Sequence, residues 1–273
     1  MEFSRMAIQF HDFTLPSRGV LYGDRCPEGV VKVRTWTVGE EEILAGGHGS
    51  VSDRIRLMVD KCSELPNGLK SSELLTSDRL AMLLAVRHFT VGSRYNYQWV
   101  CRQCRGSNVA EVNLVTDLDE RTPDVATRAV RELTDPETGK PLYPDFIYAE
   151  PISITLPVSG ETLKMRFMRT EDESVVQTRV KQSQFKAQAS GAPLSYSLAV
   201  GIVAIGERDN LPILQREDFM RSLVGRDMAR LRTVMQAAET GLDMTLYRDC
   251  RHCATLNKVT LGLDEEFFRP SCV

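Results

Sequence analysis

Apolar and polar residues alternate in several short runs, and these mark the strands. VKVR (31–34) and LKMR (163–166) place an apolar side chain at every second position, the period of a half-buried strand. YNYQWV (95–100) alternates with aromatic residues that suit a pleated surface, and VAEVNLV (109–115) alternates again as its return partner. The period changes to helical in SDRLAMLLAVRHF (77–89), where Leu80, Leu83, Leu84 and Arg87 share a face. Thr76 or Ser77 is placed to cap that helix and Gly92 to stop it. Thr37 with Glu40, and Thr170 with Glu173, have capping-box spacing, so a helix is expected to start at each. The acidic run Glu40, Glu41, Glu42 then complements a helix N-terminus. LAVGIVAIG (198–206) is about half the length a bilayer crossing needs and reads as a buried helix or strand.

These elements occur in the same order twice. TLP with a glycine three residues on appears at Thr14 and again at Thr155. The alternating strands follow, then the acidic helix starts, and last a Cys-x-x-Cys pair in each half, CRQC (101–104) and CRHC (250–253). Aligned on the cysteines, residues 78–114 and 227–263 share seven identities in 37 positions, against about two expected by chance. The matches include Asp78 with Asp227, Gly92 with Gly241, Asn108 with Asn257 and Leu114 with Leu263. An internal duplication is therefore expected, with loop insertions of different length in the two halves. The fold class is α+β, with two pseudo-repeats of strands, helices and a zinc-knuckle β-hairpin sharing one zinc-ribbon-like site. The expected divisions are a first repeat over 1–116, a linker or elaborated loop over 117–149, and a second repeat over 150–273. The linker assignment rests on its polarity, its prolines and an ETG turn signal.

Composition narrows the class only a little. The 273 residues are 42% hydrophobic and 26% charged, as in an ordinary globular protein. The net charge of −3 gives no global reason to expect nucleic acid or an acidic membrane. Arg226, Arg230 and Arg232 form a local basic cluster with acids close by, which reads as a solvated helix face. The opening MEFSRMAIQFHDF has no export-signal pattern, so a reducing cytosol is expected, where disulfides are rare. Cys26, Cys62 and Cys272 then read as plain thiols.

Cys101, Cys104, Cys250 and Cys253 read differently. The x-x spacing lets two thiolates face one ion, and four complete a tetrahedral zinc site. Two knuckles in equivalent positions point to a single structural zinc per chain, clipping the halves together. An iron–sulfur cluster, a redox dithiol and separate sites between chains are the alternatives. His252 lies between two ligands, where side chains point outward, and is left out of the set. A four-sulfur site has no open position for water or substrate, so it is structural. Elsewhere the four histidines have no metalloprotease spacing, and GGHGS (46–50) is a turn rather than a phosphate loop. No enzyme is expected.

The segments FTLPSRGVLYG, TVGEEEIL, LTSDRLAMLLAVR, CRQC and CRHC with FFRPS, taken in order, resemble a known family. They are similar to the baseplate hub and hub-assembly proteins of T-even-like contractile-tailed bacteriophages. The resemblance implies a part in building or forming the tail baseplate, through contacts with other baseplate and tail hub proteins. It implies a place in the host cytoplasm during assembly and in the virion tail. No nucleic-acid or membrane partner is expected. The zinc reading rests on the cysteine spacing and not on the resemblance. Phe267 and Phe268, near the end of the chain, are candidate anchors for a partner; the alternative is that they cap the chain's own core. The runner-up from another class is a nucleic-acid-binding zinc ribbon, with Arg102, Arg105, Arg251 and Trp99 at its hairpins.

Overall fold

Two alternating runs open the chain in the computed structural model, which describes residues 9–45, 51–185, 192–263 and 265–268. They are β1 (Phe10–Thr14) and β2 (Val30–Arg34), paired antiparallel with Thr14 opposite Val30. Two helices follow, α1 (Val38–Ala45) and α2 (Val51–Lys61), and β3 (Ser63–Glu64) then pairs with β2 to complete a small sheet. Next come α3 (Thr76–Val91) and a hairpin of β4 (Arg94–Val100) and β5 (Ser107–Asn113). The expected turn at 46–50, the N-terminal residues 1–8 and Cys272 lie outside the described residues.

The second half runs in parallel order. After β6 (Glu120–Arg121) and α4 (Pro123–Arg131), β7 (Ile152–Thr155) pairs with β8 (Thr162–Met165), Thr155 opposite Thr162. Four helices accompany this sheet: α5 (Thr170–Phe185), α6 (Ala192–Val200), α7 (Ile213–Ser222) and α8 (Gly225–Ala238). Between α6 and α7, β9 (Ile202–Ile205) and β10 (Arg208–Asp209) extend the sheet in the order β10-β9-β8-β7. LAVGIVAIG thus ends one helix and starts a strand. The closing elements are β11 (Gly241–Leu242), the hairpin of β12 (Thr245–Asp249) and β13 (Leu256–Thr260), and α9 (Glu265–Phe268).

Several contacts recur at matched positions. Asp78 and Asp227 each fall on the third residue of their helix, and both are buried. Asp78 accepts from the Ser17 amide (3.0 Å) and from the Ser17 and Tyr22 hydroxyls. Asp227 accepts from the amides of Val158 (2.7 Å) and Ser159 (3.1 Å). Each carboxylate therefore pins the loop that follows a TLP turn, whose leucine, Leu15 or Leu156, is buried. A buried carboxylate needs such donors, because leaving it bare in the core is costly. Gly92 and Gly241 both follow their helices with positive φ, 90° and 137°. The register of β12–β13 repeats that of β4–β5 with every position shifted by 149, as in Asn96 opposite Glu111 and Thr245 opposite Thr260.

Two sequence expectations are corrected. The Thr37–Glu40 box forms, with Glu40 accepting from the Thr37 amide and hydroxyl at 2.7 Å each. The Thr170–Glu173 box does not. Asp172 takes the equivalent place, accepting from the Arg169 amide at 2.7 Å, while Glu173 pairs with Arg79. Thr170 instead ties the halves together, its amide and hydroxyl both donating to the Leu74 carbonyl. In α3 neither Thr76 nor Ser77 caps, and residues 81–87 are buried all round, so it is a central helix rather than a one-faced one. The connecting stretch 117–149, read as a linker or elaborated loop, carries α4, whose Ala126 and Val130 are fully buried and which packs on α8. Thr122 followed by Pro123 at the first helical position is the start signal for it.

Glu40 yields a pH prediction. Burial would push its carboxyl up, but Arg34 (3.0 Å) and Thr37 hold it down to about 2. Its contribution is therefore complete above the unfolded value near 4.5 and is lost as pH falls through about 2. Allowing for solvent screening, that contribution is on the order of 1–2 kcal/mol. Glu40→Gln should lose this much at neutral pH, and its deficit against wild type should shrink as pH falls through that window. Denaturant titrations at stepped pH would check it. A deficit independent of pH would assign the loss to packing instead.

Candidate metal centre

Each hairpin carries its cysteine pair at the turn because the alternation of its strands delivers them there. Tyr95, Tyr97 and Trp99 face inward from β4 and are buried, and the chain then turns at Cys101. The two turns have the same internal bonds. The Cys101 amide donates to Gly106 O and the Arg105 amide to Cys101 O; at the other turn the Cys250 amide donates to Thr255 O and the Ala254 amide to Cys250 O. Arg105 and Ala254 both adopt positive φ, 60° and 56°.

The four predicted ligands come together. Their sulfurs all lie within 4.8 Å of one another, with Cys101 Sγ 3.7 Å from Cys253 Sγ and Cys104 Sγ 3.6 Å from Cys250 Sγ. Tetrahedral zinc with bonds of about 2.3 Å has sulfur–sulfur edges of about 3.8 Å. The donor set and its spacing therefore fit that ion. Both of these contacts run between the hairpins, too long for disulfides, and these cysteines are free. A multi-iron cluster would need room for its inorganic core between the sulfurs, which these separations do not leave.

The surroundings favour thiolate. The Gly106 amide lies 3.4 Å from Cys104 Sγ and the His252 amide 3.4 Å from Cys250 Sγ. Two buried asparagines cross between the hairpins. Asn108 accepts from the Arg251 amide at 3.0 Å and points its amide at Cys250 Sγ (3.6 Å); Asn257 accepts from the Arg102 amide at 3.0 Å and points at Cys101 Sγ (3.5 Å). The sequence matched these asparagines without assigning them a role. Their signal was their shared position, four residues past each second cysteine.

Without a cation Cys101, Cys104 and Cys250 compete for charge. Burial pushes Cys250 up, yet the amides of His252 and Cys253 and the Asn108 side chain bring it down to about 6. The Cys104 amide lowers Cys101. Cys104, although it receives the Gly106 amide, is pushed up to about 12 by burial and by the sulfurs of Cys253, Cys250 and Cys101. A divalent cation removes this conflict by stabilising all four thiolates at once.

The other candidates lie elsewhere. His252 does not face the sulfurs: its Nε2 is 3.0 Å from Ser107 O and 3.2 Å from Arg251 Nε. Cys26 and Cys62 are buried, and burial pushes the Cys62 thiol up to about 11, as expected of inert core thiols. Phe267 and Phe268 are 0% and 8% exposed. The Phe267 ring stands edge-on to Tyr95 at 5.5 Å and its carbonyl accepts from Arg87 Nε at 2.9 Å. Both rings therefore belong to this chain's core, and the partner-anchor expectation gives way to the capping alternative.

Residues 15–138 match the family described as T4 bacteriophage base plate protein. That span takes in α1 to α4, the first hairpin and the first cysteine pair, and over those residues it bears out the resemblance to T4-like phage baseplate proteins. No curated protein and no solved structure gives a significant match. Among the described residues, no helix is long and apolar enough to cross a membrane.

Proposed function

We propose that this chain, a T4-like phage baseplate protein over residues 15–138, is a non-enzymatic part of the tail baseplate hub or a factor that assembles it. It acts through contacts with other tail proteins. The observation that carries this reading is the family match. A cysteine cluster with no ligand position left over supports a structural role, since it offers no site for chemistry.

In this reading a single zinc, held by Cys101, Cys104, Cys250 and Cys253, cross-links the two hairpins. The chain is an internal duplication, with residues 1–116 and 150–273 as its repeats and 117–149 as the connection. The reciprocal asparagines, the paired aspartates and the common hairpin register support that reading. The nucleic-acid alternative is weakened by its aromatic residues. Tyr95, Tyr97 and Trp99 are buried and offer no face on which a base could stack.

An infection in which this gene is deleted tests the role. Filled heads without assembled tails are expected; normal, infectious tails would overturn the assignment. Recovery of the protein from purified tails would place it among resident hub parts rather than departing assembly factors.

A further inference from the structure

The clip at the cysteine cluster leaves an outer face, and we propose that this face docks onto an acidic protein surface of a neighbouring tail subunit. The identity of the neighbour as a tail subunit rests on the baseplate reading; the surface itself rests on the following geometry.

The two hairpin turns carry Arg102, Arg105 and Arg251 beside the cysteine cluster, all with exposed side chains. The stretches 100–109 and 249–258 hold four basic residues, these three and Lys258, against the single acid Asp249, in a chain whose net charge is −3. Elsewhere arginines are typically spent on carboxylates: Arg18 on Glu120, Arg25 on Glu73, Arg166 on Asp172, Arg230 on Asp135. Among the described residues, Arg102, Arg105 and Arg251 enter no ion pair. Arg251 Nε donates to His252 Nε2, but none of the three guanidinium groups meets a carboxylate, the group they match in shape and charge and bind in bidentate fashion.

Their backbone is fixed. Arg102 N is held by Asn257 Oδ1 and Arg251 N by Asn108 Oδ1, at 3.0 Å each, so both start from a rigid base. A preorganised charged surface loses less entropy on docking. Apolar side chains adjoin the arginines: Val100 is 59% exposed just before Cys101, and Leu256 is 61% exposed opposite Asp249. Val109, 56% exposed, shares the outward face of the first hairpin with Val100. Exposed aliphatic residues rimmed by arginine have the composition of a protein interface. A surface for single-stranded nucleic acid would instead present aromatic faces, and those of β4 are turned into the core.

The test places a photo-cross-linking amino acid at Gln103, which is exposed between the two arginines. Cross-linking is performed in infected cells during assembly, and the joined peptides are identified by mass spectrometry. The expected product is an Asp- and Glu-rich segment of a tail protein. The triple variant Arg102→Glu, Arg105→Glu, Arg251→Glu should lower its yield by about tenfold or more, as like charges meet at the interface. Metal content and melting temperature are read on the same variant, and the neutral triple Arg102→Gln, Arg105→Gln, Arg251→Gln, which adds no acid beside the thiolates, should lower the yield in the same direction.

Cross-links to nucleic acid, to segments without acidic residues, or to nothing would overturn the docking face. So would a triple variant that cross-links and infects normally. If the gene deletion still blocks tail assembly, that failure leaves the baseplate role standing. Conversely, an acidic segment captured from a non-tail protein, together with normal tails in the deletion, would remove the baseplate role and keep the docking face.

Discussion

Replacing Cys250 with serine is expected to abolish metal binding and to unfold the link between the two hairpins. Wild-type protein purified under reducing conditions should contain one zinc per chain by elemental analysis, and the variant close to none. The side chain is buried, 2% exposed, so a hydroxyl there cannot be rescued by water. The loss spreads beyond one ligand. Asn108 would lose the sulfur it points at, and the contact of Cys104 Sγ with Cys250 Sγ would go. Metal binding and folding are coupled in such sites, so ligand loss removes folding free energy directly. A loss of about 3 kcal/mol or more is expected, equivalent to a melting temperature lower by roughly 6–12 °C in a chain of this size. Cys26→Ser is the matched control, since Cys26 is buried but far from the cluster in role. Iron in the wild type, two metals per chain, or a variant as stable as wild type in zinc-containing buffer would each overturn the zinc clip.

That site was legible in the sequence because its signal is local. Two Cys-x-x-Cys pairs on alternating strands need only the hairpins to form, and the pairing register then carries each pair to a turn. The pairing of TLP loops with Asp78 and Asp227 was half legible. Both aspartates matched in the alignment, yet nothing local says that a carboxylate reaches back 61 residues to Ser17. The Thr170–Glu173 box failed for a related reason. Asp172 and Glu173 are both able to cap, and only the tertiary contact of Glu173 with Arg79 decides between them. In α4, the polar residues around Ala126 and Val130 hid a helix whose buried face is small.

Least legible were the segments that follow each hairpin. Leu118 and Phe267 both lie four residues past the matched leucines, Leu114 and Leu263. The first segment crosses to the second half: β6 pairs with β11, and Arg121 Nη2 donates to Ala237 O at 2.7 Å. The second crosses to the first half, where Arg87 Nε donates to Phe267 O and the Tyr95 hydroxyl to Gly262 O. Each half is thus closed by the tail of the other. Sequence shows that Phe267 and Phe268 are apolar and gives no address for them, so core and partner both stood as readings; the packing places them in the core.

This exchange predicts the second large effect. Phe267→Ala should destabilise the protein by about 3–5 kcal/mol, as truncating a fully buried phenylalanine does, and lower the melting temperature by roughly 6–20 °C. The ring's loss is compounded by its neighbours. Tyr95 meets it edge-on, and the Arg87 guanidinium lies 5.2 Å from its centroid. Arg87 is 1% exposed and its charge is met by carbonyls, those of Phe267, Gly92 and Arg94, rather than by a carboxylate. It therefore depends on α9 staying in place. Loosening α9 withdraws one carbonyl and one aromatic face from a buried cation, so Arg87→Ala and Phe267→Ala should not add. A double-mutant cycle by urea denaturation should give a coupling of about 1–3 kcal/mol. Additive losses would mean that the ring and the guanidinium act independently. An unchanged melting temperature with weakened partner capture would restore Phe267 to a partner surface, against its burial here.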